Sequence, residues 1–385
     1  VDAVLKLDVT KLLETNVIDH SSRVFWEFYM EYGFAVMGVA FLVTVAAVKL
    51  FRPIAVNIGL VDKPGGRKHH TGAIPLIGGL AMFCGVFLSA YIFLEQPPFV
   101  RVFMLGGAMI VFMGAMDDRY DISARFRLVA QFLVAALFVY GLKLGTASFG
   151  DLLGLGEIRL GWLGYPFALI AIISVINAIN MLDGIDGLVG GLGLTSFCGL
   201  SLLFFGSGHL NIAWLCFAMA GALMAFLLFN VWGKSDLDNA PIKKVFMGDA
   251  GSMFVGLSLA VLLLFGAQDQ SQAFKPITAL WFVLLPLTDM ITLMYRRLKR
   301  GKSPLTPDRT HIHHILMRAG FSSRQTLYIM LFAQMCLVAA GMIFNYLPKA
   351  EAMSFSCCLL FVLAYQLLMK RSWRFIRWNK RRFAV

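Results

Sequence analysis

The sequence predicts an all-α, polytopic integral membrane protein with about 11 transmembrane helices, its N-terminus outside and its C-terminus cytoplasmic. Three observations predict it. Hydrophobic residues make up 59% of the 385 and charged residues 15%, with a mean hydropathy of +0.75, values of a chain whose helices face lipid. Apolar runs of about 20 residues, enough to cross a hydrocarbon core of about 30 Å, recur along the chain. Lys and Arg, finally, divide unevenly between the two sets of connecting segments.

The runs fall at 28–50, 74–94, 99–116, 126–145, 164–182, 188–206, 211–232, 250–268, 276–295, 325–346 and 351–369. An odd number of crossings puts the two ends on opposite sides, and basic residues gather in cytoplasmic loops. With the C-terminus inside, segments 51–73, 117–125 with Arg127, 233–249, 296–324 and 370–385 hold 25 of the 34 Lys and Arg. Lys49 lies at the inner end of the first span, and the outer side keeps 8. Three regions follow: an outer (periplasmic) arm over 1–27, one transmembrane domain over 28–370, and a basic cytoplasmic tail over 371–385. The arm lacks the basic start, short apolar core and small-residue cleavage site of a secretory signal. All six cysteines lie within spans without a C-x-x-C pair, so packing is their simplest role. The formal charge of +12 sits in loops beside the spans, where anionic inner-leaflet lipid attracts it, so no nucleic acid is expected as a partner.

The two sets of loops differ in content. The outer loops "EQPP", "SGHLN" and "QDQSQAFKP" are short and plain, whereas the inner ones hold five polar motifs: "VDKPGGRKHHTGAIPLIGG" (61–79), "MDDRYDIS" (116–123), "NMLDGIDG" (180–187), "KKVFMGDAGS" (243–252) and "SPLTPDRTHIHH" (303–314). After the third span, Asp117, Asp118 and Asp121 are spaced to share one helix end, where they repel unless partnered. Arg119 and Arg125 could neutralise them in a solvated loop, or they could face Mg²⁺, which needs only one or two carboxylates plus substrate phosphates.

At the end of the fifth span, Asn177, Asn180, Asp183 and Asp186 recur at steps of three, a stripe that drifts round a strict helix. Gly184 and Gly187 permit unwinding there and close backbone approach to a ligand. Amides bonding between spans are the plain alternative for Asn177. In "VFMGDAGS" the eighth span begins at Asp249, where backbone N–H groups attract anions. Asp249 can hold a metal and Phe246 offers an aromatic face, or the two are a capping Asp and a packing Phe. In the longest inner loop Arg309, His311, His313 and His314 suit a pyrophosphate, with structural histidines as the plain alternative. Zinc is disfavoured because no H-E-x-x-H or H-x₃-H pairing occurs and the surrounding carboxylates suit a hard cation. Carboxylates and amides for Mg²⁺, cations for phosphates and glycine turns together are the parts of phosphoryl transfer. "GGRKHHTG" lacks the order of a Walker A motif, which argues against a P-loop ATPase.

On these five motifs, in this order, the chain resembles the polyprenyl-phosphate N-acetylhexosamine-1-phosphate transferases, and most closely their bacterial WecA type, over about residues 50–330. The resemblance implies transfer of GlcNAc-1-phosphate from UDP-GlcNAc to undecaprenyl phosphate. The products would be undecaprenyl-diphosphate-GlcNAc and UMP, and the reaction would start O-antigen or related glycan synthesis at the inner membrane. It implies Mg²⁺, with Mn²⁺ as a substitute, held by Asn180 and Asp249. It also implies Phe246 and Asp186 at the uracil, Asp117 and Asp118 as catalytic residues near the lipid phosphate beside a catalytic Asp249, and Asp183 within the substrate site. Arg309, His311, His313 and His314 would lie on sugar and phosphate, and Lys68 would face lipid or nucleotide phosphates. Expected partners are undecaprenyl phosphate, a UDP-N-acetylhexosamine and membrane lipid, with room for a homodimer. The branch that uses UDP-MurNAc-pentapeptide fits less well, because its histidine loop has three consecutive histidines where this chain has "HIHH". A relative using UDP-FucNAc or UDP-GalNAc is the runner-up. A transporter would need polar residues through both halves of the spans, and a purely structural anchor leaves the five motifs unexplained.

Overall fold

A chain this apolar must satisfy its backbone polar groups internally wherever it meets lipid, and a helix does so within one segment. The computed structural model describes residues 20–62, 72–234, 242–268, 272–303 and 310–371, with side chains from residue 30 onward. Most of the arm and of the basic tail lies outside these residues. Helix α1 runs His20–Ile58, followed by a two-stranded antiparallel hairpin of β1 (Val61–Asp62) and β2 (Ile74–Pro75). Then come α2 (Gly78–Phe93), α3 (Pro98–Tyr120), α4 (Ala124–Gly141), α5 (Gly164–Leu182), α6 (Leu188–Gly206) and α7 (Leu210–Val231). The remainder is α8 (Gly248–Gly266), α9 (Pro276–Lys299), α10 (Ile312–Arg318), α11 (Ser323–Tyr346) and α12 (Glu351–Lys370).

Local chemistry sets these boundaries. Pro98 and Pro276 open α3 and α9, where the missing N–H costs nothing. Ser322 and Gln325 close a reciprocal capping box at the start of α11. Among the described residues ten helices are long and apolar enough to cross a membrane, so the chain is a multi-pass membrane protein. The run expected at 74–94 is the exception: Ile74–Pro75 pairs with Val61–Asp62, and α2 keeps 16 residues. At 1.5 Å per residue such a helix rises about 24 Å, short of a core of about 30 Å. The seven residues of α10, read from sequence as part of a loop, form a separate short helix.

Helix α8 lies at the centre, packed against α2, α3 and α5. Around it α7 joins α1 to α6, and α9 joins α5 to α11 and α12. Glycines let the helix ends meet at the start of α8. A Cβ on Gly79 would lie 2.2 Å from the Gly251 amide nitrogen, and one on Gly114 would lie 2.4 Å from the Ala250 Cα. Backbone cannot retreat as a flexible side chain can, so Gly79→Ala and Gly114→Ala should each cost about 1–3 kcal/mol. Gly38, in α1, has nothing within 4 Å of its would-be Cβ. Thermal midpoints in detergent should fall for the first two variants and hold for Gly38→Ala. Three equal midpoints would show that the close approach carries no energy.

Candidate active site

Four of the five motifs bring described side chains to one end of the bundle. Asp118, near the end of α3, accepts hydrogen bonds from the backbone N–H of Asp249 (2.8 Å) and of Ala250 (3.2 Å) at the start of α8. The anion that this helix start attracts is therefore the chain's own. Gly248 has φ +68, and a Cβ on it would meet Asp118 Oδ2 at 2.4 Å, so glycine is required by both strain and space. Asp117 is buried, accepting from the Ile122 N–H (2.9 Å) and from Arg127 Nη1 (2.7 Å). Arg127 Nη1 also lies 3.4 Å from Asp249 Oδ2. Arg119, the expected neutraliser, instead donates to the Ile58 carbonyl.

From the end of α5, Asn180 Nδ2 donates to Asp249 Oδ1 and to Ser252 Oγ, both at 2.8 Å. Asn177 takes the plain alternative, donating to Gln131 Oε1 (2.6 Å) and to the Ile173 carbonyl (2.8 Å). The helix unwinds after Leu182, as Gly184 and Gly187 permit, and α6 starts from Gly187 at φ +78. Asn230, buried in α7, accepts from the Gly187 N–H (2.6 Å) and donates to the Val245 carbonyl (3.0 Å), tying the third motif to the fourth. Asp186 pairs with Lys244 at 2.5 Å, and the Lys244 ammonium sits 5.6 Å from the centre of the Phe246 ring. The backbone at Phe246 is fixed by Pro75 and Gly78, at 3.0 and 2.9 Å, so part of the first motif serves as its platform.

The histidine segment docks beside the third motif. A Cβ on Gly184 would come 2.2 Å from His313 Nε2. His311, His313 and His314 form a row, His311 stacked on His313 with centroids 5.6 Å apart and His314 tilted against His313 at 4.2 Å. His311 Nδ1 is 2.6 Å from Asp289 Oδ2. Lys68 and Arg309 lie outside the described residues. Asp183 accompanies the unwound turn, and burial, then the charges of Asp249 and Asp186, push its carboxyl up. Its side chain reaches solvent, which moderates that rise.

A segment spanning residues 100–267 matches the family model described as glycosyl transferase family 4. The chain is 42% identical to the undecaprenyl-phosphate alpha-N-acetylglucosaminyl 1-phosphate transferase of Yersinia pestis, over 89% of this chain and 92% of that protein. It is 40% identical to the protein of that description from Salmonella typhi and 38% to that from Escherichia coli strain K12, with the same coverage. The chain belongs to this transferase family.

In this cluster the carboxylates of Asp117, Asp118, Asp183, Asp186 and Asp249 outnumber the cations Arg127 and Lys244 among the described residues. No three His, Cys, Asp or Glu side chains among the described residues form a ready metal cage. Mg²⁺ does not need one, since it retains waters and borrows substrate phosphates. The excess of negative charge and the hard oxygen donors of Asp249 and Asn180 fit that ion. Sequence reading missed Arg127, Lys244, Asn230 and Asp289. A signal existed for Asp289, a lone carboxylate within an apolar span, and for Asn230 near the end of another.

His313 is 1% exposed, and neither ring nitrogen has a hydrogen-bond partner among the described residues. Burial, then the neighbouring His314 and His311, lower its pKa to about 3. An unfolded histidine binds a proton below about pH 6.5, so between these values the unfolded chain holds the extra proton. Stability is full above about pH 6.5 and falls as pH drops toward 3. His313→Gln should flatten part of that loss in thermal midpoints measured from pH 7 to 4. An unchanged slope would remove the buried neutral imidazole from the account.

Proposed function

We propose that the chain transfers GlcNAc-1-phosphate from UDP-GlcNAc to undecaprenyl phosphate on the cytoplasmic face, releasing UMP. The observation that carries this reading is the meeting of Asp249, Asn180, Arg127 and the histidine row at one end of the bundle, in a chain about 40% identical to transferases of that description. The basic-residue asymmetry supports the cytoplasmic side. Mg²⁺, or Mn²⁺ in its place, would be held by Asp249 and Asn180 Oδ1, and when bound it supplies charge neutralisation for the diphosphate.

A lipid phosphate has its second pKa near 6, so at neutral pH it is mostly a dianion and needs little help from a base. Its oxygen attacks the β-phosphorus of the UDP-sugar. That P–O bond forms as the bond from the β-phosphorus to the bridging oxygen breaks, and UMP leaves with the bridging oxygen and its electron pair. Positioning is the protein's task. Arg127, fixed by Asp117 at 2.7 Å, presents its guanidinium to the incoming phosphate. Asp117 acts through Arg127, and Asp118 through the start of α8. Phe246 offers its ring to the uracil and Asp186 accepts from the base N–H, with Lys244 turning from the ring toward phosphate.

Membranes containing the protein, given UDP-[¹⁴C]GlcNAc and Mg²⁺, should move label into the butanol phase and release UMP. Label from UDP-GalNAc or UDP-FucNAc alone would reassign the sugar. In the purified protein Asp249→Asn should cut kcat by about 10²–10³-fold, the scale of losing one charge stabiliser, while the KM for the lipid stays within a few-fold. Near-normal turnover at saturating Mg²⁺ would overturn the role of Asp249. Phe246→Ala should weaken UMP inhibition by about 1–3 kcal/mol, the value of one base–aromatic stack. Inhibition as strong as the parent's would leave Phe246 a packing residue.

A further inference from the structure

Asp289 has no part in the reaction outlined above, yet it is the most heavily engaged carboxylate near the histidine row. It lies within α9 at 1% exposure, where a charge is costly unless it is partnered. Its partners come from two other elements. Oδ2 meets His311 Nδ1 at 2.6 Å, while Oδ1 accepts from the Ile312 N–H at 3.1 Å and from the Tyr365 hydroxyl, in α12, at 2.5 Å. An ionised carboxylate only accepts, so Nδ1 of His311 carries the hydrogen and Nε2 is the ring nitrogen left for a ligand. The His311 ring lies nearly parallel to that of His313, at 12°, and His313 touches Gly184 in the unwound turn beside Asp183. A line of contacts thus runs from α12 through Asp289 and His311 to the motif that also supplies Asn180.

We infer that Asp289, locked by Tyr365, is a positioning residue for the transferase, holding His311 in the orientation and tautomer that point Nε2 at the diphosphate of a nucleotide-sugar donor. The inference rests on the function proposed above. A carboxylate that merely packed the core would affect the enzyme whether or not His311 were present. One that acts through His311 has nothing left to do once that ring is gone.

The test is a double-mutant cycle on the full-length purified chain, with kcat and KM for UDP-GlcNAc measured at saturating undecaprenyl phosphate. Asp289→Asn keeps the shape but can donate to Nδ1, which reverses the ring's proton. It should lower kcat/KM for the donor by about 10–100-fold, the usual cost of a lost orienting partner. In the His311→Gln background the same change should alter kcat/KM by less than about twofold. Tyr365→Phe removes one hydrogen bond and leaves the carboxylate in place. It should give a smaller loss in the parent and none beside His311→Gln, and it decides the matter if Asp289→Asn does not fold. Losses that multiply in both backgrounds would make Asp289 structural and overturn the inference while leaving the transferase reading intact. A parent that releases no UMP from UDP-GlcNAc would overturn both.

Discussion

The start of α8 is held by Asp118, whose two carboxylate oxygens accept the N–H groups of Asp249 and Ala250. A helix start concentrates unsatisfied donors and a partial positive charge, and an internal carboxylate there satisfies both. The consequence reaches the rest of the site. With the backbone of Asp249 fixed, its side chain is aimed between Asn180 and Arg127, and Ser252 lies on the same face to hold Asn180. Gly79 and Gly114 permit the approach of α2 and α3 that makes this cap reachable. Bulk at Gly79 would press on Ala250 and Gly251, and bulk at Gly114 on Ala250 and the carbonyl carbon of Asp249, so either would displace Asp249.

Charge is the second constraint. The site gathers more carboxylates than cations at a membrane boundary, where unpaired charge is expensive. Arg127 and Lys244 each answer part of it, by linking Asp117 to Asp249 and by meeting Asp186. What remains suits a divalent ion and the phosphates that arrive with it. The histidine row works differently, because His313 is held neutral by burial and His311 is oriented by a carboxylate from α9. The imidazoles of His311 and His313 are thus set in place, while Arg127 and Lys244 carry the positive charge among the described residues.

Much of this was legible in the sequence, for identifiable reasons. Apolar length marks spans whatever they pack against, so ten of the eleven runs became long helices. The run at 74–94 is shorter because Ile74 and Pro75 found a strand partner across the first loop, a pairing that local hydropathy does not encode. The stripe from Asn177 to Asp186 read correctly as one that a strict helix cannot hold, since its spacing conflicts with 3.6 residues per turn, and the helix ends at Leu182. Which residue neutralises which was not legible. Arg127 serves Asp117 and Asp249 from the next helix, while the nearer Arg119 turns to Ile58, and such choices depend on packing between distant segments. Asn230 and Asp289 were missed because each lies apart from the motif it supports, although a polar group in an apolar span is itself a signal.

The measurement that bears most directly on this account is the thermal midpoint of Asp118→Ala beside that of Asp249→Asn, in the same detergent. If Asp118 caps the central helix, its removal leaves two donors without a partner and should lower the midpoint by about 1–3 °C, at a cost of about 1–2 kcal/mol. Asp249→Asn keeps the helix start intact and should leave the midpoint near that of the parent. Equal midpoints for Asp118→Ala and the parent would contradict the claim that this carboxylate builds the site.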